Sequence, residues 1–221
     1  MAIAVDNAGQ SATGTGTIAF VLGGGSDRIV IVTTSEETAD ITNVTFNSVN
    51  MTFLNGATQA EARTEIWYMK ESQLPAAGTY TIAITGGATN GGTGARSFTG
   101  VHQTTTFGTF FSATGTASPI TVDVTGTATT DVVIDGAALK DPGTVAAGAG
   151  QTLGYNVLGT DVQICGSREP GNGGTVTMSW TDSAAFGKAI GAVALKEGGP
   201  AGPTPNVQLP IASLWLLQVA A

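Results

Sequence analysis

The sequence predicts an all-β fold: a two-sheet antiparallel β-sandwich of jelly-roll type, followed by a C-terminal tail. Three observations lead there. Short apolar or alternating runs, about a dozen of them, recur every roughly 8 to 15 residues between turn signals, and no stretch holds a helical period over a useful length. Glycine is abundant, at 32 of 221 residues, and punctuates the runs. Charged residues make up only 11% of the chain, far below the roughly 25% of an average soluble protein. The surface this implies carries hydroxyls more than ions, and is either an ordinary β-rich surface or one covered by neighbouring subunits.

Residues 64–85 (TEIWYMKESQLPAAGTYTIAIT) are the stretch around which the rest is arranged. They read as a strand over 64–69, a polar loop closed by Pro75 and Gly78, and a strand over 79–85 in which Tyr80, Ile82 and Ile84 alternate with small or polar residues. Trp67, Tyr68 and Tyr80 bring aromatic bulk to the middle of the sandwich.

In chain order, residues 2–5 are a short apolar start and 6–13 a polar link. TGTIAFVL (15–22) is a strand, closed by Gly23, Gly24, Gly25 and Ser26. DRIVIVTT (27–34) is a continuous β-branched run, the mark of a central strand covered on both faces. After the acidic loop of Glu36, Glu37 and Asp40, ITNVTFNSVNMTFLNG reads as a hairpin with Asn55-Gly56 as a further turn signal. Residues 57–63 (ATQAEAR) have helix-favouring composition, but only enough length for a loop with one helical turn.

Beyond the central pair, residues 86–94 (GGATNGGTG) form a glycine-rich loop. A phosphate-cradling loop would lead into a helix and carry a lysine. This one leads into another strand, 95–101, and has none, so it reads as a surface loop. Phe107, Phe110 and Phe111 read either as core or as a cap on one end of the sandwich. PITVDVT (119–125) alternates cleanly, and DVVIDGAAL (131–139) repeats the logic of the run at Asp27. A loop over 142–150 precedes weaker strands at 151–157 and 161–164. TVTMSWT (175–181) and KAIGAVAL (188–195) are the last strands, the latter small enough for close packing. The domain therefore spans 1–197, a Gly/Pro linker 198–205, and an apolar tail 206–221.

Composition restricts the chemistry. A net charge of −8 and eight basic residues in no run leave no surface for nucleic acid. The N-terminal ten residues have neither the basic nor the apolar segment of a secretory signal. The apolar C-terminal run, about a dozen residues long, is too short to span a bilayer that needs about twenty. Cys165, the one cysteine, reads as a small core residue, not as a nucleophile. His102, the one histidine, reads as a surface residue, since triads and zinc sites need partners for it. Asp123 and Asp131, near the ends of separate strands, are the candidates for a carboxylate pair. Glu65 beside Trp67 is a candidate sugar grip, weighed against Trp67 being core. No EF-hand spacing is present. No metal or cofactor is expected.

The tail PNVQLPIASLWLLQVAA offers Val207, Leu209, Ile211, Leu214, Trp215, Leu216 and Leu217 after a flexible linker. Such a run needs cover, either from its own domain or from a neighbouring subunit. Its LPxxxWLL portion resembles part of a bacterial C-terminal sorting signal, without the full apolar span or the closing basic cluster.

GGGSDRIVIV, RTEIWYM, PAAGTYTIAIT, SFTGVHQTTTFG, GAGQT, VTMSWT and AIGAVALK stand in an order that resembles a jelly-roll-like β-sandwich domain of tailed-phage structural proteins and bacterial surface proteins. The resemblance covers residues 2–196. It departs at His102, where the family more often has an acidic residue before Gln-Thr-Thr. The resemblance implies a non-enzymatic virion structural protein, a head decoration or a tail or fibre component, whose partners are copies of itself and other virion proteins. The alternative it implies is an adhesive module at a cell surface that binds host glycan.

Overall fold

The computed structural model describes residues 1–14, 17–37, 40–87 and 90–199. The tail residues Val207, Leu209, Ile211, Leu214, Trp215, Leu216 and Leu217, and all of the linker beyond Gly199, lie outside the described residues. The strands in order are β1 (Ala4–Thr13), β2 (Ile18–Leu22), β3 (Ile29–Glu36), β4 (Ile41–Phe46), β5 (Val49–Asn50), β6 (Thr52–Gln59), β7 (Ala62–Lys70), β8 (Gly78–Gly86) and β9 (Gly92–Thr99). Then come β10 (Phe111–Gly115), β11 (Ile120–Val124), β12 (Val132–Lys140), β13 (Val145–Ala147), β14 (Thr152–Leu158), β15 (Val162–Pro170), β16 (Val176–Asp182) and β17 (Lys188–Leu195). A single 3₁₀ turn over Glu71–Gln73 joins β7 to β8.

The all-β, antiparallel expectation holds, but the strands form four sheets where the sequence led us to expect two. Sheet orders are β1-β9-β3-β7-β6 and β2-β8-β4-β5 in the first half, and β10-β17-β12-β15-β14 and β11-β16-β13 in the second. The second half repeats the first: substituting β10 for β1, β17 for β9, β12 for β3, β15 for β7 and β14 for β6 turns one five-stranded sheet into the other. The likeness extends to register. Thr52, Phe53 and Asn55 pair with Tyr68, Trp67 and Ile66, and Thr152, Leu153 and Tyr155 pair with Arg168, Ser167 and Gly166, with the same irregularity after the second pair.

Each half has its own core. Phe20, Leu22, Val30, Val32, Val44, Phe46, Met69 and Ile82 fill the space between the first two sheets. Val122, Val133, Leu139, Met178, Trp180 and Ile190 fill it between the second two. A third cluster, Ile29, Ile31, Ile66, Phe98, Ile134, Val193 and Leu195, lies between the halves. The five-stranded sheets therefore stack face to face, with β1 against β14 and β6 against β10 at the flanks. Four sheet layers result, and the central strands of the inner two are dry on both faces. This is why β3 and β17 are buried at every position and tolerate no alternation. Phe107 and Phe110 join the cluster between the halves, while Phe111 packs into the core of the second half.

Several connectors of the sequence reading are strands here. Residues 6–13 belong to β1, 57–63 run through the ends of β6 and β7 with no helical turn, and β13 lies within 142–150. In each case pairing partners elsewhere in the chain supply a ladder that local composition does not announce.

Glycine sets the spacing of the inner sheets. A Cβ on Gly136 would stand 2.3 Å from Thr33 Cγ2 across the interface. Thr33 and Gly136 are the fifth residues of β3 and β12, so the two repeats touch each other at the same position. Similarly, a Cβ on Gly94 or on Gly166 would lie 2.3 Å from the Tyr155 ring, which sits between them.

At one pole Arg28 grips Glu71: Nη2 donates to Oε1 at 2.6 Å and the Arg28 backbone N–H to Oε2 at 2.8 Å. Gln103 completes the clamp by accepting from the Glu71 N–H and donating to the Val101 carbonyl. At the opposite pole Lys140 Nζ meets Asp161 at 2.6 Å and Glu37 at 3.1 Å, tying the second half to the first. Lys188, fully buried, donates to the carbonyls of Thr116, Ala184 and Phe186 and lies 3.3 Å from Asp182 Oδ2.

Two outcomes follow. Gly136→Ala should destabilise the protein by about 1–3 kcal/mol in urea unfolding, through overpacking between the halves. The hydrogen bonds from Arg28 hold the Glu71 carboxyl below its ordinary range. A depressed acid contributes stability above its unfolded value and loses it as pH falls through its folded value. Glu71→Gln should therefore lower the urea midpoint at pH 7, with the difference from the unmodified protein shrinking as pH falls through the folded value of Glu71.

Candidate interaction surface

The polar residues singled out from the sequence are engaged within the fold. Glu65 is buried, accepts from Trp67 Nε1 at 3.1 Å and pairs with Arg63 Nη2 at 2.5 Å. Trp67 lines the core of the first half, so the acid and the ring do not form an exposed platform. Asp123 accepts from Thr177 Oγ1 at 2.6 Å, whereas Asp131 accepts from the Ala128 N–H and pairs with Lys196 at 2.7 Å. Each carboxylate thus answers its own neighbour. His102 caps its own turn, with Nδ1 accepting from the Thr104 and Thr105 N–H groups at 3.2 and 2.9 Å. Cys165 is buried, and desolvation pushes its thiol well above its ordinary range. That makes it an inert packing residue. The glycine loop after β8 leads into β9, a strand; its residues 88 and 89 lie outside the described set. Among the described residues no group of three or more His, Cys, Asp or Glu side chains could hold a metal ion.

Several large apolar side chains face outward, Val21 and Phe186 among them, and two of them stand at matching positions. Phe53 on β6 is 47% exposed and Leu153 on β14 is 51% exposed. The matching registers make them equivalent positions of the two repeats. Both stand on the outermost strand of a five-stranded sheet, just before the irregularity in the ladder. An irregularity there bends the edge strand and keeps the row beyond it from simple edge pairing. Because β6 lies over β10 and β14 lies under β1, the two residues occupy opposite flanks of the stack. Phe53 leans on Trp67, with ring centroids 5.1 Å apart. Leu158, 50% exposed, stands at the far end of β14, and Val49 at 44% stands on β5, the short strand leading into β6.

Composition left open an ordinary β-rich surface or one covered by neighbours, and single residues in alternating strands did not reveal which would lie on a flank. The equivalence of Phe53 and Leu153 requires the repeat to be seen first. Comparison with protein-family models, with curated proteins and with solved structures returns no match for this chain.

Phe53→Ser and Leu153→Ser should each cost less than about 1 kcal/mol in urea unfolding, since both side chains are half in water already. A larger loss would mean that the flanks are structural, not interactive.

Proposed function

We propose that the protein is a non-enzymatic structural component of a tailed-phage particle, a head decoration or a tail or fibre subunit, that assembles with copies of itself and with other virion proteins. The observation that carries this reading is the pair of equivalent apolar patches, Phe53 and Leu153, on opposite flanks of a duplicated body. A unit with the same sticky position on two sides is bivalent, and bivalent units build closed rings or filaments. Strand order supports a jelly-roll reading of each half. In the first, β1-β9-β3-β7 faces β2-β8-β4-β5, and β5 runs on into β6, which crosses to the other sheet. The apolar tail residues Val207, Leu209, Ile211, Leu214, Trp215, Leu216 and Leu217 are a second assembly element, brought in after a Gly/Pro linker.

Light scattering on three proteins tests this: the full chain, the Phe53→Ser/Leu153→Ser variant, and a chain ending at Gly199. The full chain should form defined oligomers or filaments, and the double variant should fall to smaller species while keeping its β-sheet circular dichroism. A smaller species from the shortened chain would assign a share of assembly to the tail. A full chain that stays monomeric as its concentration rises overturns the proposal. The adhesive alternative needs a platform other than Glu65 and Trp67, and a glycan array read with the same full chain distinguishes it.

A further inference from the structure

The two repeats are alike in topology but differ where a buried charge crosses between their five-stranded sheets. Arg96 on β9 pairs with Ile31, and Val193 on β17 pairs with Ile134, the third residues of β3 and β12. Arg96 and Val193 are therefore equivalent positions. By the same alignment Asp135, the fourth residue of β12, is equivalent to Val32 of β3. One repeat has an arginine where the other has valine, and the second has an aspartate where the first has valine.

Arg96 is 1% exposed and points into the opposite five-stranded sheet. Its Nη1 donates to the Ser167 carbonyl and its Nη2 to the Asp135 carbonyl, while its guanidinium lies 5.4 Å from the Tyr155 ring centre. These carbonyls belong to facing strands, and between them the ladder is open. The β12–β15 register runs from Ile134–Arg168 directly to Ala137–Cys165, omitting the Asp135–Ser167 and Gly136–Gly166 rungs. The Ser167 N–H donates instead to Asp135 Oδ1 at 2.5 Å. Asp135 Oδ2 accepts from Trp180 Nε1 at 2.9 Å, Ser167 Oγ at 3.0 Å and Gln151 Nε2 at 3.3 Å. In the first half the corresponding rung, Val32–Trp67, is closed, and the β3–β7 ladder runs without a gap from Ile29 to Glu36.

We propose that Arg96 and the opened Asp135–Ser167 rung form a pairing lock, which makes the five-stranded sheet of the second repeat a surface that accepts the first repeat, from its own chain or from a second copy, and rejects another second repeat. Two first repeats placed face to face would aim each arginine at a closed ladder that offers no carbonyl. Two second repeats would leave two open ladders and two buried carboxylates with no cation. Removing one partner of a buried charged set in this way costs several kcal/mol, whereas apolar replacement of the whole set is often neutral. Between two surfaces of the same strand order, such a penalty is what discriminates.

Two measurements test the lock. The first uses the intact chain in a urea-unfolding cycle of Arg96→Val, Asp135→Val and the double variant, which copies Val193 and Val32. Each single variant should lower the midpoint, and the double should recover at least half of the larger single loss, because the rung can then close. Additive losses overturn the proposal. The second uses the full chain with a protease site placed after Gln103, folded, cut, and mixed in urea with an isotope-labelled copy before refolding. Native mass spectrometry should find first-with-second pairs in excess over like pairs by about a hundredfold or more, with the excess collapsing in the double variant. Like pairs at statistical abundance in the unmodified protein overturn it. If the cut halves do not refold, the intact-chain cycle decides.

Discussion

Two five-stranded sheets, each covered on both faces, impose the constraint on which the rest of the molecule depends. The central strands of a sheet in that position have no wet side to receive polar side chains, so apolar and very small residues are favoured there and a buried charge needs hydrogen-bond partners. β3 meets the demand with Ile29, Val30, Ile31 and Val32, and β17 with alanine, glycine and valine. Where β9 and β12 depart from it, at Arg96 and Asp135, a whole network has to follow: Ser167, Gln151, Trp180 and two main-chain carbonyls are drawn in. Burial pushes the Asp135 carboxyl above its ordinary range, and the nearby Arg96 and the N–H donors pull against that.

The outer sheets live under a looser rule. β2, β11 and β16 alternate buried with exposed residues, in the manner of a sheet with one wet face. The outer strands are rich in threonine and, among the described residues, carry only Asp123 and Asp182 as ions. The ions that remain work in a few fixed places, among them the Arg28–Glu71 clamp at one pole and Lys140 among Glu37, Asp141 and Asp161 at the other.

Much of the secondary structure was legible from the residues. The continuous run at Asp27 and its counterpart at Asp131 announced strands covered on both faces, and the alternation at 119–125 announced a half-wet one. What was not legible was the number of layers, since a two-sided strand looks the same within one large sandwich and between two small ones. A signal was there nonetheless. GTYTIAIT at 78–85 and GTVTMSWT at 174–181 are variants of one phrase, and comparing them would have exposed the duplication. The strands β1 and β13 stayed hidden because polar and small residues form ladders only when a distant partner is present. Of the candidate site, the tail residues were plain as an apolar run, whereas Phe53 and Leu153 acquire meaning only from their shared register. Glu65 beside Trp67 misled, because spacing along a strand does not tell an outward face from a core one.

One end of the body gathers both ends of the described chain. The Met1 ammonium donates to the Gly198 carbonyl, and the Gly198 N–H donates to the Gly100 carbonyl, where the first repeat also ends. A load applied between the chain ends would therefore open the structure like a zipper from a single corner and would not shear its ladders in parallel. Held by that same corner, the body would present its opposite pole outward, and both flanks would stay clear of the tether.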